Sequence, residues 1–100
     1  DVIVFHALDR SQQEQIAKLL LSHVKQLVKA QGMSIEFTDL VVNRIANIGY
    51  EPEFGARPMK RAIQTEIENT LSSLLLKGKF KKGAKISADV KDGKVVFTKA

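Results

Sequence analysis

The amino-acid sequence predicts an α+β domain: three to four helices packed with a small three-stranded sheet that ends in a β-hairpin. Three observations predict it. Apolar residues recur at helical spacing in three stretches, three short stretches read as strands instead, and Asp92-Gly93 supplies a strong type I′ turn between the last two. The resulting order of helix, strand, helix, helix and two strands defines a compact α+β unit. One boundary is expected near Asp9-Arg10, so residues 1–10 read as a connecting segment and residues 11–100 as the domain.

The chain opens on Asp1-Val2-Ile3-Val4-Phe5, which has no basic flank leading into a long apolar stretch and so does not resemble a secretory signal. It reads as a strand cut from something longer. Ser11-Gln12-Gln13-Glu14 has the Ser-x-x-Glu spacing of a capping box and places the start of the first helix at Ser11. Ile16, Leu19, Leu20, Val24, Leu27 and Val28 then mark an expected buried face, and Gly32 supplies the stop. Met33, Ile35 and Phe37 alternate with Ser34 and Glu36, the period of a short strand with one buried side.

Thr38 or Asp39 can cap a second helix, with Leu40, Val41, Ile45 and Ile48 expected to point inward and Gly49 to end it. A third helical pattern opens at Pro58, whose fixed φ suits the first helical turn, and carries Met59, Ile63, Ile67, Leu71, Leu74 and Leu75 to Gly78. Asn69-Thr70 leaves two readings open, one continuous helix or two shorter ones. In the hairpin, a two-residue loop at Asp92-Gly93 sets Val90 opposite Val95 and Ala88 opposite Phe97, on one face with Ile86. Together with the 33–37 strand this makes the three-stranded sheet.

Composition bounds the function. A chain of 100 residues is one domain with a modest core, too small for a large catalytic cleft. Without cysteine there is no disulfide framework, thiolate nucleophile or zinc-thiolate cluster, and the usage fits a reducing cytoplasm. The longest apolar runs fall far short of a membrane span. The net charge of +5 is local: removing Lys77, Lys79, Lys81, Lys82 and Lys85 leaves basic and acidic residues in balance. Such a run reads first as a solvated loop. The alternative is a small basic nucleic-acid-binding domain using residues 77–85, although only Phe80 lies among these lysines to act as a stacking platform.

Catalytic constellations are missing. The sequence holds no Gly-x-x-x-x-Gly-Lys-Ser/Thr loop and no strand ending in paired acids, so by itself it lacks the parts that cradle and hydrolyse a triphosphate. His6 and His23 have no carboxylate or cysteine at ligand spacing, which argues against a metal site. No serine stands in a Gly-x-Ser-x-Gly setting. Glu51 and Glu53, on either side of Pro52, read as a solvated edge or a local ion pair rather than an acid-base pair.

The segment running from Gly49-Tyr50-Glu51-Pro52 through Phe54-Gly55-Ala56-Arg57-Pro58-Met59-Lys60-Arg61 carries the functional signal. It delivers the planar, permanently charged fork of Arg57 to the start of a helix, where free amides and the positive end of the macrodipole gather, behind the conformational freedom of Gly55. That arrangement suits a phosphate sensor. Gly-x-Arg-Pro alone is weak, but the whole string, with Ile63-Gln64 and Glu68, closely resembles the C-terminal small subdomain, or lid, of the Clp family of AAA+ protein unfoldases. There the Gly-Ala-Arg motif is called sensor 2.

The resemblance covers nearly the whole chain and implies a specific set of expectations. The chain would be the lid of the second AAA+ module, with Arg57 sensing nucleotide and Gly55, Ala56 and Pro58 positioning it. Ile16 and Leu20 are candidates for adenine contact, though they read more simply as core. Lys60 and Arg61 are candidates for a subunit interface. ATP or ADP with magnesium would belong to the parent protein, with no tight binding to this fragment. The implied partners are the large AAA+ subdomain of the same chain and that of the neighbouring subunit in a hexameric ring, and protein substrates indirectly. No membrane partner is expected, and nucleic acid is disfavoured. Members of the resembled family often carry proline near Thr70, where this chain has none, and Glu51 stands where they more often carry aspartate; the first departure favours a helix that runs through.

Overall fold

The computed structural model describes residues 10–48 and 55–100. The expectations for the opening extended segment, His6, the Asp9 boundary, Gly49 and the loop carrying Tyr50, Glu51, Pro52, Glu53 and Phe54 lie outside the described residues. Among the described residues four α-helical segments, one π-helical turn and three strands follow in order: α1 Arg10–Ala30, β1 Ser34–Phe37, α2 Asp39–Ile48, α3 Arg57–Ala62, the π-helical turn Ile63–Glu68, α4 Asn69–Leu76, β2 Lys85–Lys91 and β3 Lys94–Lys99. The fold is α+β, as the periodicities require.

Over the described residues α1 runs Arg10–Ala30, so Ser11, the expected capping residue, is itself helical. Arg10 Nε donates to Glu14 Oε1 at 3.2 Å one turn along, engaging the carboxylate that a capping box would turn back on the backbone. The buried stripe is Ala17, Leu21, Val24 and Val28. Leu19 and Leu27, expected on the buried face, are 60% and 59% exposed. Two residues beyond Ala17, Leu19 lies about 200° around the helix. Ala17 and Ala46, both at 0% exposure, lie in the core, and α1 packs against α2. On α2 the same correction applies: Val41, Val42, Ile45 and Ala46 are buried, while Leu40 and Ile48 are exposed.

The end of α1 is a Schellman motif. Gly32 takes φ +81°, its amide donates to Lys29 O at 2.9 Å, and the Met33 amide reaches back to Val28 O at 3.2 Å. Thr38 caps α2 with its carbonyl, which accepts from Val41 and Val42 amides at 3.0 and 3.1 Å. Its hydroxyl is used elsewhere, donating across the sheet to Asp89 Oδ1 at 2.9 Å.

From Arg57 to Leu76 the helix is continuous, which settles the Asn69-Thr70 question, but residues 63–68 widen into a π-helical turn. The Asn69 amide donates to Gln64 O, five residues back. The buried residues Met59, Ile63, Ile67 and Leu71 explain the widening. Spaced by four, they would drift about 40° per step around an α-helix. An underwound turn in the middle cancels part of that drift and keeps all four facing the core.

The sheet order is β1-β2-β3, with β1 parallel and β3 antiparallel to β2. Val90 pairs with Val95 and Ala88 with Phe97, while Ile35 pairs with Ile86 across the parallel strands. Positive φ at both Asp92 (53°) and Gly93 (74°) makes the turn type I′. One sheet face therefore closes the core that α1, α2 and the 57–76 helix begin.

Candidate functional site

Arg57 is the first helical residue and Pro58 the second, one position later than its expected place at the helix start. Ala56 precedes them with φ −91° and ψ 9° and no side-chain cap, and is itself packed against the core. Gly55 has φ +60°, a left-handed conformation that a Cβ would strain. The chain thus turns sharply at Gly55, seats Ala56 against the core and releases the Arg57 side chain to the surface. Among the described residues the exposed Arg57 guanidinium has no hydrogen-bond or ion-pair partner.

Arg57 lies on a cleft of about 570 Å³ between the end of α2 and the long helix. Ile48, Pro58 and Ala62 give it an apolar wall; Arg57, Arg61, Thr65 and Glu66 give it polar groups. Glu66 is held from α2, where Arg44 donates Nε and Nη2 to its Oε1 at 2.8 and 2.6 Å. Thr65 donates its hydroxyl to Arg61 O at 3.0 Å. A second concavity continues along α2 through Ile48 and Glu66 to Leu40, Asn43, Arg44 and Asn47. Arg10 of α1 braces that side, donating Nη2 to Asn43 Oδ1 at 3.2 Å and Nη1 to Asn47 Oδ1.

Several expected site residues part company here. Lys60 and Arg61 are neighbours in sequence but face different clefts: Arg61 shares the Arg57 cleft, whereas Lys60 lines a smaller one with Leu20, His23 and Ile63. Leu20 and Ile16 are partly buried against the core, and neither lines the Arg57 cleft. Sequence reading missed Ile48, Thr65 and Glu66 as companions of Arg57. The available signal was the four-residue spacing of Arg57, Arg61 and Thr65, a polar stripe along one helix face.

The basic loop is anchored by Phe80, which is only 6% exposed and belongs to the core. Its ring is therefore not free to stack on a base. Lys77, Lys79, Lys81, Lys82 and Lys85 are all exposed. Among the described residues no cluster of histidine and acidic side chains could hold a metal ion, and no helix is long and apolar enough to cross a membrane.

Comparison with known proteins matches this sequence to one family. The family model described as the C-terminal, D2-small domain, of ClpB protein matches residues 8–88. The chain is 39% identical over 98 residues to Chaperone protein ClpB of Rhodopirellula baltica, covering 98% of this chain and 11% of that protein. It is 41% identical over 96 residues to the Negative regulator of genetic competence ClpC/MecB of Bacillus subtilis, covering 96% of this chain and 12% of that protein. With Chaperone protein ClpB of Rickettsia conorii the identity is 38% over 98 residues, again 98% of this chain and 11% of the relative. The chain thus spans about a ninth of the length of these relatives. By the family model over residues 8–88 and by relatives 38–41% identical across nearly all of it, the chain is a member of the ClpB C-terminal D2-small domain family.

Proposed function

We propose that this chain works as the lid of the second ATPase module of a Clp-type chaperone, with Arg57 as its nucleotide-sensing residue and Gly55, Ala56 and Pro58 holding that residue in place. One observation carries the reading. A permanently charged fork, set on the first residue of a long helix by a glycine turn, stands exposed at a cleft with no partner among the described residues. Unpaired guanidinium groups beside an apolar wall fit an anionic ligand that carries an apolar portion, such as a nucleotide. Residues 1–10 then connect the lid to a large subdomain that carries the phosphate loop absent from this sequence.

In this reading ATP or ADP with magnesium is bound by the parent protein, and hydrolysis of the terminal phosphate supplies the free energy. Arg57 contributes differential affinity: a guanidinium that pairs more strongly with one nucleotide state shifts the lid angle towards the conformation allowing that contact, and by no more than the difference in affinity. Ile16 and Leu20 serve the core. The lid's partners are the large subdomains of its own chain and of the neighbouring subunit in a hexameric ring, and through them protein substrates in the cytoplasm. The fragment alone hydrolyses nothing.

Arg57→Ala in the full-length parent tests the reading. ATP turnover by the second module, or its coupling to substrate unfolding, falls by about tenfold or more, the scale of a lost charge-assisted contact. Unchanged nucleotide affinity, turnover and unfolding would sink the sensor role.

A further inference from the structure

We infer that Arg61 is a second ligand-contacting residue of the same site, so that Arg57 and Arg61 form a two-guanidinium clamp for adjacent phosphates. The inference deepens the proposed function and rests on it for the identity of the ligand as a nucleoside polyphosphate.

Placement comes first. Arg57 and Arg61 are four residues apart, both line the same cleft, and i, i+4 side chains on a helix start about 5–6 Å apart at Cβ. Both are exposed, and among the described residues neither guanidinium has a hydrogen-bond or ion-pair partner. Two like charges at this spacing repel one another, so the apo domain holds them together at a cost that a bound anion would remove. The cleft does not supply that anion from its own lining. Glu66, the carboxylate that lines it among the described residues, is already engaged through Oε1 by two donors of Arg44. Thr65 directs its hydroxyl to the Arg61 carbonyl. With Glu66 neutralised by Arg44, the cleft therefore keeps the two positive charges of Arg57 and Arg61 beside an apolar wall.

The form of the surplus selects the ligand. A single phosphate is satisfied by one bidentate fork, whereas two forks one helical turn apart match two phosphates in a chain. Lys60 does not extend the pair into a broad basic surface, since it lines the separate cleft with Leu20 and His23. Arg61 is thereby assigned to nucleotide rather than to a neighbouring subunit.

The test is a titration of the full-length protein with fluorescent ATP, ADP and AMP, with nucleotide binding to its first module abolished by neutralising that module's phosphate-loop lysine. Arg61→Ala is expected to weaken ATP and ADP binding about tenfold or more while leaving AMP within about twofold, and Arg61→Lys to recover part of the loss. If Arg61→Ala leaves ATP affinity unchanged while Arg57→Ala reduces it, the clamp is wrong and the sensor reading stands. Unchanged affinity in both variants overturns both. Equal weakening of AMP and ATP by Arg61→Ala overturns the two-phosphate assignment, and loss of ring assembly with ATP affinity intact returns Arg61 to the subunit interface.

Discussion

Arg44 donates Nε and Nη2 to one oxygen of Glu66, at 2.8 and 2.6 Å, joining α2 to the π-helical turn beside the Arg57 cleft. The two side chains keep 33% and 29% of their exposure, so the pair sits between the surface regime, where ion pairs contribute little, and the buried one, where losing a partner is severe. Glu66→Gln is expected to lower stability by about 1 kcal/mol. A double-mutant cycle with Arg44→Ala, read by urea unfolding of the 100-residue chain, should give a coupling of about 0.5–1.5 kcal/mol. A coupling indistinguishable from zero would mean that the bond pins nothing.

The rotated face of α1 makes a sharper prediction. Leu21 is 2% exposed and Leu19 is 60% exposed, although both belong to the same leucine run. Leu21→Ala should cost about 2–5 kcal/mol by transfer and cavity formation, and Leu19→Ala should stay within about 0.5 kcal/mol. Thermal or urea unfolding of the two variants checks the order. Comparable losses would show that the helix buries the other face.

What the sequence made legible follows from how local the deciding interaction is. Asp92-Gly93 demanded positive φ at two adjacent residues, which fixed the turn and with it every pair of the hairpin, all as observed. Gly32 and Gly78 were readable stops for the same reason. The buried face of α1 was not readable, because the packing of α1 on α2 is a tertiary matter, and counting leucines favours Leu19 and Leu27 over Ala17. The π-helical turn was present in the four-residue spacing of Met59, Ile63, Ile67 and Leu71, but that spacing is compatible with an α-helix until the core on the other side is known. At the site, Gly55, Arg57 and Pro58 announced a helix start by chain chemistry alone. Arg44 and Glu66 stand 22 residues apart, and nothing local links them. Lys60 and Arg61, adjacent in sequence, are separated by the 100° step between neighbouring helical residues.

Gly32 and Gly78 offer a paired test of backbone conformation against packing. Both end a helix with positive φ, +81° and +74°. A Cβ on Gly32 would meet Lys82 Cγ at 2.9 Å, whereas one on Gly78 meets nothing within 4 Å. The neighbour at Gly32 is the stem of a flexible lysine that can move aside, so left-handed strain should dominate at both sites. Alanine at either position is expected to cost about 1–2 kcal/mol, with the two values within about 0.5 kcal/mol of each other. A far larger loss at Gly32, restored by adding Lys82→Ala, would show that the loop is packed rigidly against the helix end.

The basic loop separates a structural anchor from a charged surface. Phe80 is buried in the core, and the Gly83 amide donates to Gly32 O at 2.7 Å, so residues near the loop's middle and end are tied to the domain while the lysines point to solvent. Phe80→Ala should therefore cost about 3–5 kcal/mol. Replacing Lys77, Lys79, Lys81, Lys82 and Lys85 together by glutamine should leave stability within about 1 kcal/mol, because those side chains form none of the ion pairs found among the described residues. The same variant decides the nucleic-acid alternative. With the one aromatic ring of the loop withdrawn into the core, only phosphate attraction remains, and that term falls steeply with salt. Fluorescence anisotropy with a labelled single-stranded oligonucleotide should show binding only at low salt, gone by roughly 0.2 M and abolished in the five-lysine variant. Tight binding that persists above that salt and vanishes with the lysines would instead make this loop a nucleic-acid surface.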